Sequence, residues 1–259
     1  MTQASPTRGL LVPTLAALAA LAVLVSLGTW QLQRKAWKDD IVARIAARAG
    51  EAPVRLADGV AAWARDGAAA EYLRVTFTGV PLTGFDRLYY APDQKLGPGH
   101  HVYTPFRLTE EAVGAGEAVR IVWVDRGFLP DAVVTREPAA AKLPATPVEV
   151  VGRLRAPGIK GTFSPDNDVT GNRWYWRDLG AMHASAFAEG PAALALFIEA
   201  ESLSPGPGPD GWPRAARAAP QIANRHLEYA VTWFGLALTL IGVSAAFIWQ
   251  RLSRGEARE

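Results

Sequence analysis

The residues best placed to do chemistry stand just before a long uncharged stretch. The segment NRHLEY (224–229) holds Arg225, His226 and Glu228, and residues 229–250 carry no charge. Neutral imidazole is a common axial ligand of haem iron, and an ionisable residue near membrane depth is a functional candidate. His226 is therefore a candidate ligand for a metal or for haem iron.

The predicted neighbours of His226 on a helix are apolar and aromatic. With helical spacing, Tyr229, Ala230 and Trp233 fall on the same face as His226. Aromatic side chains at these positions would pack on a flat ring such as haem. A structural interpretation is also open, in which His226 is a polar cap that hydrogen-bonds a lipid headgroup or the other membrane helix. The residues alone favour this structural interpretation.

A second motif, GTWQLQRKAWK (28–38), is expected beside the first. It follows an uncharged stretch near the N-terminus, so it leaves the membrane at the face where NRHLEY enters. Arg34 and Arg225 would then supply forked cationic donors for the propionate carboxylates of a haem. We also place Trp30, from the same motif, in the predicted haem site.

Two stretches are long and apolar enough to cross a bilayer. No charge occurs between Arg8 and Arg34, and we place the first span at 10–32 and the second at 226–250. The first run exceeds the roughly 7–15 apolar residues of a signal-peptide core. A buried core helix is the alternative for the second run, although such helices rarely continue so long without a charge.

Two spans place both chain ends on one side of the membrane and the intervening segment on the other. Lysine and arginine residues occur on both sides, and a segment of this length crosses largely regardless of its charge. Charge counting therefore leaves the orientation open.

The first span is predicted to continue as an amphipathic helix over 33–50. Trp30, Trp37, Ile41 and Ile45 recur at seven- and four-residue intervals, which places them on one helical face. We expect this face to pack on the domain that follows.

Residues 51–221 are predicted to form one mostly antiparallel β domain, sandwich-like or barrel-like, with a helix or two. Short alternating runs separated by turn material indicate the strands, a helix is predicted at 177–190, and the proline-rich stretch 203–213 is expected to be an extended loop. The predicted fold class is an α+β membrane protein with two terminal transmembrane helices flanking this domain. The predicted strands are 71–80, 101–108, 120–129, 148–155 and 193–201.

The other clusters of ionisable residues are expected to be structural. His100 and His101 are neighbours at a loop-to-strand junction, so they point to opposite faces and are poor partners for one metal ion. His183 has no carboxylate or histidine at i+4 in its predicted helix and is expected at the surface. The loop around Asp166 and Asp168 does not follow the spacing of an EF-hand, and Asx-rich turns bond their own backbone.

Composition and motifs exclude several function classes. The chain has no cysteine, which excludes disulfides, thiolate catalysis, Cys-ligated zinc and iron–sulfur clusters. With 27 basic and 25 acidic residues, no large basic field suggests nucleic acid. The motifs GxSxG, HExxH and the phosphate loop do not occur, and no GxGxxG follows a strand. These observations predict a protein that is not an enzyme.

Seven short motifs occur in order along the chain, from the end of the first span to the second. They are LGTWQLQRKAWK (27–38), RVTFTGV (74–80), HVYTPFRL (101–108), WVDRGFLP (123–130), VVGRLRAP (150–157), FSPDNDVTGNRWYWRDL (163–179) and NRHLEYAVTWFGLA (224–237). Each is weakly specific alone, but together and in this order they resemble the surfeit locus protein 1 family of cytochrome c oxidase assembly factors. The lengthened approach to the first strand, AWARDGAAAEYLRV, departs from the family pattern.

The resemblance implies an inner-membrane protein with two spans, both termini and the tail 251–259 in the cytoplasm, and an extracytoplasmic central domain. It implies a role in the maturation of haem–copper oxidases, when haem reaches the catalytic subunit. Bacterial members are thought to bind haem a, and the proposed ligand is the histidine before the second span, here His226. Few residues precede Arg8, too few for a mitochondrial transit peptide, so a bacterial plasma membrane is expected.

Three hypotheses follow. The leading one is an assembly factor that binds haem a at the membrane surface and assists its insertion into oxidase subunit I. The alternative is a scaffold without haem that docks on subunit I or on the haem a synthase, in contact with membrane lipid. The third is a redox enzyme using a bound haem, although no substrate site or second redox centre is recognisable.

Overall fold

The chain divides into two compact units, a helix pair and a sheet domain. Residues 1–44 and 221–259 belong to the first unit, and residues 45–220 form the second. The first residue of the predicted first span, residues 208–210 of the expected loop and the end of the predicted tail lie outside the described residues. The computed structural model describes residues 11–93, 95–109, 112, 120–136, 142–207, 211–215 and 224–256.

The described residues contain six helices and eight strands. The helices are α1 (Leu11–Ala49), α2 (Leu56–Arg65), α3 (Gly67–Ala70), α4 (Asp131–Arg136), α5 (Leu179–Ala186) and α6 (His226–Glu256). The strands are β1 (Val54–Arg55), β2 (Arg74–Pro81), β3 (Arg87–Tyr90), β4 (Gly99–Leu108), β5 (Ile121–Pro130), β6 (Val148–Arg155), β7 (Arg173–Trp174) and β8 (Ala193–Ser204).

Helices α1 and α6 are long and apolar enough to cross a membrane. Only 6% of each apolar window is buried, which argues against the core helix of a soluble protein. The 39 residues of α1 span roughly 58 Å at the usual helical rise, whereas the hydrocarbon core of a bilayer is about 30 Å thick. The helix is continuous through Ala49, in agreement with the helical continuation that the spacing of apolar residues predicts.

Packing between the two long helices uses one stripe of α1. Gly28 and Gln31 lie on this stripe and face α6. Trp30 and Trp37 lie at other positions of the helix, and the expectation that their face packs on the following domain stays a prediction. Of the predicted face, Ile45 is buried.

The two long helices pack antiparallel through small residues. Gly28 is buried, and a Cβ added there would lie 2.8 Å from the ring of Phe234. On α6, Ala230 and Ala237 are buried on the same interface. Small residues are typical of contacts between membrane helices because they let the backbones approach closely.

The eight strands form one sheet in the order β1-β2-β6-β8-β5-β4-β3-β7. An additional antiparallel pairing of β2 with β4 closes β2, β6, β8, β5 and β4 into a barrel. Among the described strands only β1–β2, β3–β7 and β5–β8 pair in parallel. The domain is therefore mostly antiparallel, as predicted, and the structure selects the barrel over the sandwich.

All five predicted strands and the predicted helix at 177–190 occur. The ends of β6 match the prediction, and those of the other elements are shifted. Helix α2 and strand β3 were missed, because one is alanine-rich and the other has only four residues. The expected loop at 203–213 begins later than predicted, since Leu203 and Ser204 extend β8 by pairing with β6.

Two apolar clusters hold the domain together. The cluster inside the barrel includes Val75, Phe106 and Ile198, and α2 contributes Leu56 to it. The second cluster lies between the sheet and α5, where Trp123, Trp174 and Met182 are fully buried among others. Trp174, from the 163–179 stretch, therefore packs within the domain.

Candidate functional site

The first residue of α6, His226, contacts α1. Its Nδ1 lies 2.6 Å from the Oε1 of Gln31, although the two residues are 195 positions apart. Gln31 is only 9% exposed. The imidazole itself is half-buried, and within the described part of the chain no residue hydrogen-bonds its Nε2. Among the residues that the structure describes, one ring nitrogen is therefore engaged and the other has no hydrogen-bond partner.

A second polar contact joins α1 to Asn224, two residues before α6. The Nδ2 of Asn224 donates to the Oδ1 of Asp39 at 2.8 Å and to the backbone oxygen of Lys35 at 3.4 Å. Lys35 is ion-paired with Asp39 along α1. Together these contacts fix the register in which Gln31 meets His226.

The two arginines predicted to meet haem propionates have different surroundings. Arg225 is exposed and donates from Nε and Nη2 to the Oε2 of Glu228, at 3.0 and 2.8 Å. The guanidinium of Arg34 lies 3.9 Å from the centre of the Trp37 ring. Arg34 thus stacks on an aromatic ring of α1, whereas Arg225, just before α6, is ion-paired with the first turn of that helix.

The three predicted aromatic residues do not form one cluster. Trp233 is half-buried on the stripe of α6 that also carries His226 and Ala230. Tyr229 and Trp30 are more than half exposed. Exposed aromatic surface near the imidazole is what a flat apolar ligand at a membrane surface would cover.

Sequence reasoning missed Gln31 and Asn224. A signal was available for Gln31, because its uncharged amide is at helical spacing from Gly28 and Lys35. On an apolar membrane helix such a polar group needs a hydrogen-bond partner. Its partner could not be identified from sequence, because the contact depends on the register of two distant helices.

The donor set fits a haem better than a bare metal ion. Among the residues described, no group of three or more histidine or acidic side chains could hold a metal ion. A haem brings four nitrogen ligands of its own, so a single neutral imidazole suffices as the protein ligand. His226, whose Nε2 is without a partner in the part of the chain that the structure describes, matches that requirement.

The remaining histidines lie in the sheet domain. His100 and His101 have separate carboxylate partners, with Nδ1 to oxygen distances of 2.9 Å to Asp131 and 2.8 Å to Asp125, which confirms that they do not share a site. The prediction for His183 was wrong. This residue is half-buried, its ring centre is 5.2 Å from that of Phe187, and its buried Nδ1 has no partner among the described residues. Packing of α5 on the sheet accounts for its burial.

The acidic loop is a structural turn, as predicted. The Oδ1 of Asn167 accepts hydrogen bonds from the backbone N–H groups of Tyr175 and Trp176. Asp168 accepts one from the N–H of Gly171 at 2.8 Å. These oxygens cap the loop's own backbone, as Asx turns do.

His101 and Asp125 form an ion pair in the sheet domain, with Nδ1 2.8 Å from Oδ2. Burial alone would lower the pKa of His101, but the charge and hydrogen bond of Asp125 raise it above its usual value. Burial would raise the pKa of Asp125, but the charge and hydrogen bond of His101, with the N–H of Gly127, lower it. The pair therefore favours its ionised form.

The fold and the helix-pair contact define a membrane protein with two apolar terminal helices and a barrel-type sheet domain. The chain belongs to the SURF1 family, whose model matches residues 18–238. It is 29% identical to Surfeit locus protein 1 of Gallus gallus over 246 residues, covering 87% of this chain and 70% of that protein. It is 31% identical to the SURF1-like protein of Monosiga brevicollis over 236 residues, covering 87% and 84%. Surfeit locus protein 1 of Homo sapiens is 29% identical, with 86% and 71% covered.

Proposed function

We propose that the protein is an assembly factor for haem–copper terminal oxidases, which binds haem a at the membrane surface and assists its insertion into catalytic subunit I. Membership of the SURF1 family supports the assembly role. The observation that carries the haem proposal is the state of His226. Its imidazole is half-buried at the start of an apolar helix, with Nδ1 bonded to Gln31 and, within the described ranges, no partner at Nε2.

The residues of the helix pair have separate roles in this proposal. His226 would ligate the iron, and Arg34 would pair with a propionate carboxylate. Arg225 would serve the second propionate by exchanging its bond to Glu228. Exposed aromatic rings of Trp30 and Tyr229, with Trp233, would cover the apolar macrocycle. Haem a supplies the redox iron that the oxidase needs, and the chain binds, orients and releases it without catalysis.

The chemistry of haem a suits a site at the membrane surface. Haem a is amphiphilic, with an apolar ring and tail and charged propionates, so a ligand at the end of a membrane helix suits both parts. We place the protein in a bacterial inner membrane with both termini in the cytoplasm and the sheet domain in the periplasm. Membrane lipid, oxidase subunit I and the haem a synthase are the expected partners.

A scaffold without haem is the second candidate function. The bonds of Gln31 to His226 and of Asn224 to Asp39 favour it, because they also explain these polar residues as contacts that hold two helices in register. In that case the helices would dock on subunit I or on the haem a synthase.

An optical spectrum separates the two functions. The full-length protein is purified in detergent after co-expression with the enzymes that make haem a, as wild type, His226→Ala and His183→Ala. His183 is a matched control, since it is a half-buried histidine of the sheet domain. We expect stoichiometric haem a in the wild type and control, and at least about tenfold lower occupancy in His226→Ala.

The other outcomes are equally informative. Colourless preparations of all three proteins would support the scaffold. Equal haem content and identical bands in all three would keep haem binding and reject His226 as the ligand.

A further inference from the structure

We infer that Gln31 is a positioning residue that sets the tautomer of His226. The Oε1 of Gln31 lies 2.6 Å from the Nδ1 of His226. A carbonyl oxygen accepts hydrogen bonds and does not donate them, so Nδ1 carries the single proton of the neutral imidazole. The lone pair available to a ligand therefore lies on Nε2.

The helix pair holds Gln31 in this position. The residue is 9% exposed, so its amide has little access to solvent. Close approach at Gly28, against the ring of Phe234, brings the helices together on one side of the contact. The hydrogen bond from Asn224 to Asp39 joins them on the other side. Because the packing at Gly28 and the hydrogen bond of Asn224 lie on either side of Gln31, its amide is held facing His226.

The tautomer matters for haem, and this part of the inference rests on the proposed function. A hydrogen bond from Nδ1–H to a carbonyl orients the imidazole and raises the basicity of Nε2. A more basic axial ligand stabilises ferric iron relative to ferrous iron. The contact with Gln31 is therefore expected to lower the midpoint potential of the bound haem.

The first test uses the full-length protein without haem. The chain has four histidines, so ¹⁵N-histidine spectra in detergent at pH 8.5 can be assigned with His226→Asn. We expect the Nδ1–H tautomer for His226 in the wild type and in Gln33→Leu, since Gln33 is an exposed glutamine on the same helix. In Gln31→Leu we expect a shift toward Nε2–H, which free histidine side chains favour.

The second test measures the midpoint potential of bound haem a. Gln31→Leu should raise the potential, and Gln31→Glu should lower it because a carboxylate is a stronger acceptor. Gln33→Leu should match the wild type. If the midpoint potential changes in either Gln31 variant but not in Gln33→Leu, the substitution affects the haem ligand and not the fold.

Two results would overturn the inference. One is an Nε2–H tautomer of His226 in the wild type, which requires no variant to fold. The other is one common potential for wild type, Gln31→Leu and Gln31→Glu. If no preparation takes up haem a, the proposed function fails, while the ¹⁵N spectra still decide the role of Gln31.

Discussion

Among the histidines that bond through Nδ1, His101 and His226 have partners of different chemistry, and this difference separates their roles. His101 bonds to the carboxylate of Asp125, and His226 bonds to the amide oxygen of Gln31. A carboxylate partner stabilises the imidazolium form, so His101 is held as part of an ion pair. An amide oxygen accepts one hydrogen bond without adding a negative charge, which leaves a neutral imidazole suited to ligation.

The pair of His101 and Asp125 predicts how stability depends on pH. Because the pKa of His101 is raised, this residue stabilises the folded state fully below about pH 6.5, its ordinary pKa. That stabilisation is lost as the pH rises through the raised pKa. Because the pKa of Asp125 is lowered, this residue stabilises the folded state fully above its ordinary pKa of 3.8. That stabilisation is lost as the pH falls through the lowered pKa. We therefore expect the melting temperature to peak between these limits.

Thermal melts of the full-length protein in detergent from pH 4 to pH 9 check this expectation. In His101→Gln the decline on the alkaline side should be shallower than in the wild type, because the titrating imidazole is gone. His100→Gln is the matched control, since it removes the neighbouring histidine and leaves the bond to Asp125. Parallel declines in wild type and His101→Gln would contradict the prediction.

At the scale of elements, the contact between α1 and α6 depends on the absence of a side chain at Gly28. The Cβ of any other residue there would lie 2.8 Å from the ring of Phe234, which is too close for the present packing. Nearby, the polar contacts of Gln31 and Asn224 require the same separation of the two helices. The candidate haem site is therefore a property of the helix pair and not of either helix alone.

Gly28→Val should destabilise the helix pair by about 1–3 kcal/mol through overpacking. Unfolding of the full-length protein in detergent measures the loss. Gly242→Val is the matched control, because a Cβ at Gly242 of α6 would meet nothing within 4 Å. Phe234→Ala should restore part of the stability lost in Gly28→Val. Equal changes in stability in Gly28→Val and Gly242→Val would show that helix propensity, and not overpacking at Gly28, is the cause.

At the scale of the whole molecule, the sheet domain and the helix pair are organised in different ways. Pairing of β2 with β4 closes the sheet into a barrel and leaves its apolar cluster inside. The long helices leave most of their apolar surface uncovered by protein, as membrane helices do. The helix pair and the sheet domain are therefore each stabilised by contacts of their own.

The proposed orientation can be tested with single cysteines, because the chain has none of its own. Phe163 is 97% exposed in the sheet domain, and Ser253 is exposed near the end of α6. We expect a membrane-impermeant maleimide to label Phe163→Cys in intact spheroplasts and Ser253→Cys only after lysis. The reverse pattern would place the domain in the cytoplasm and contradict the proposal.

Local patterns in the sequence determined much of this protein. Uncharged runs long enough for a bilayer predicted α1 and α6, and alternation of apolar residues predicted β2, β4, β5, β6 and β8. His226 was a candidate ligand because its neighbours along the chain already place it at the end of an apolar helix. Each of these inferences depends on residues within a few turns or one strand.

The tertiary structure alone decided which distant residues meet. Closure of the barrel depends on a pairing of β2 with β4 that no local alternation encodes. The partner of His226 is 195 residues away, and the helix register that joins it to Gln31 is set by close packing at Gly28. Sequence periodicity reports which face of an element is apolar, but not which element covers that face, because that depends on the free energy of packing the whole chain.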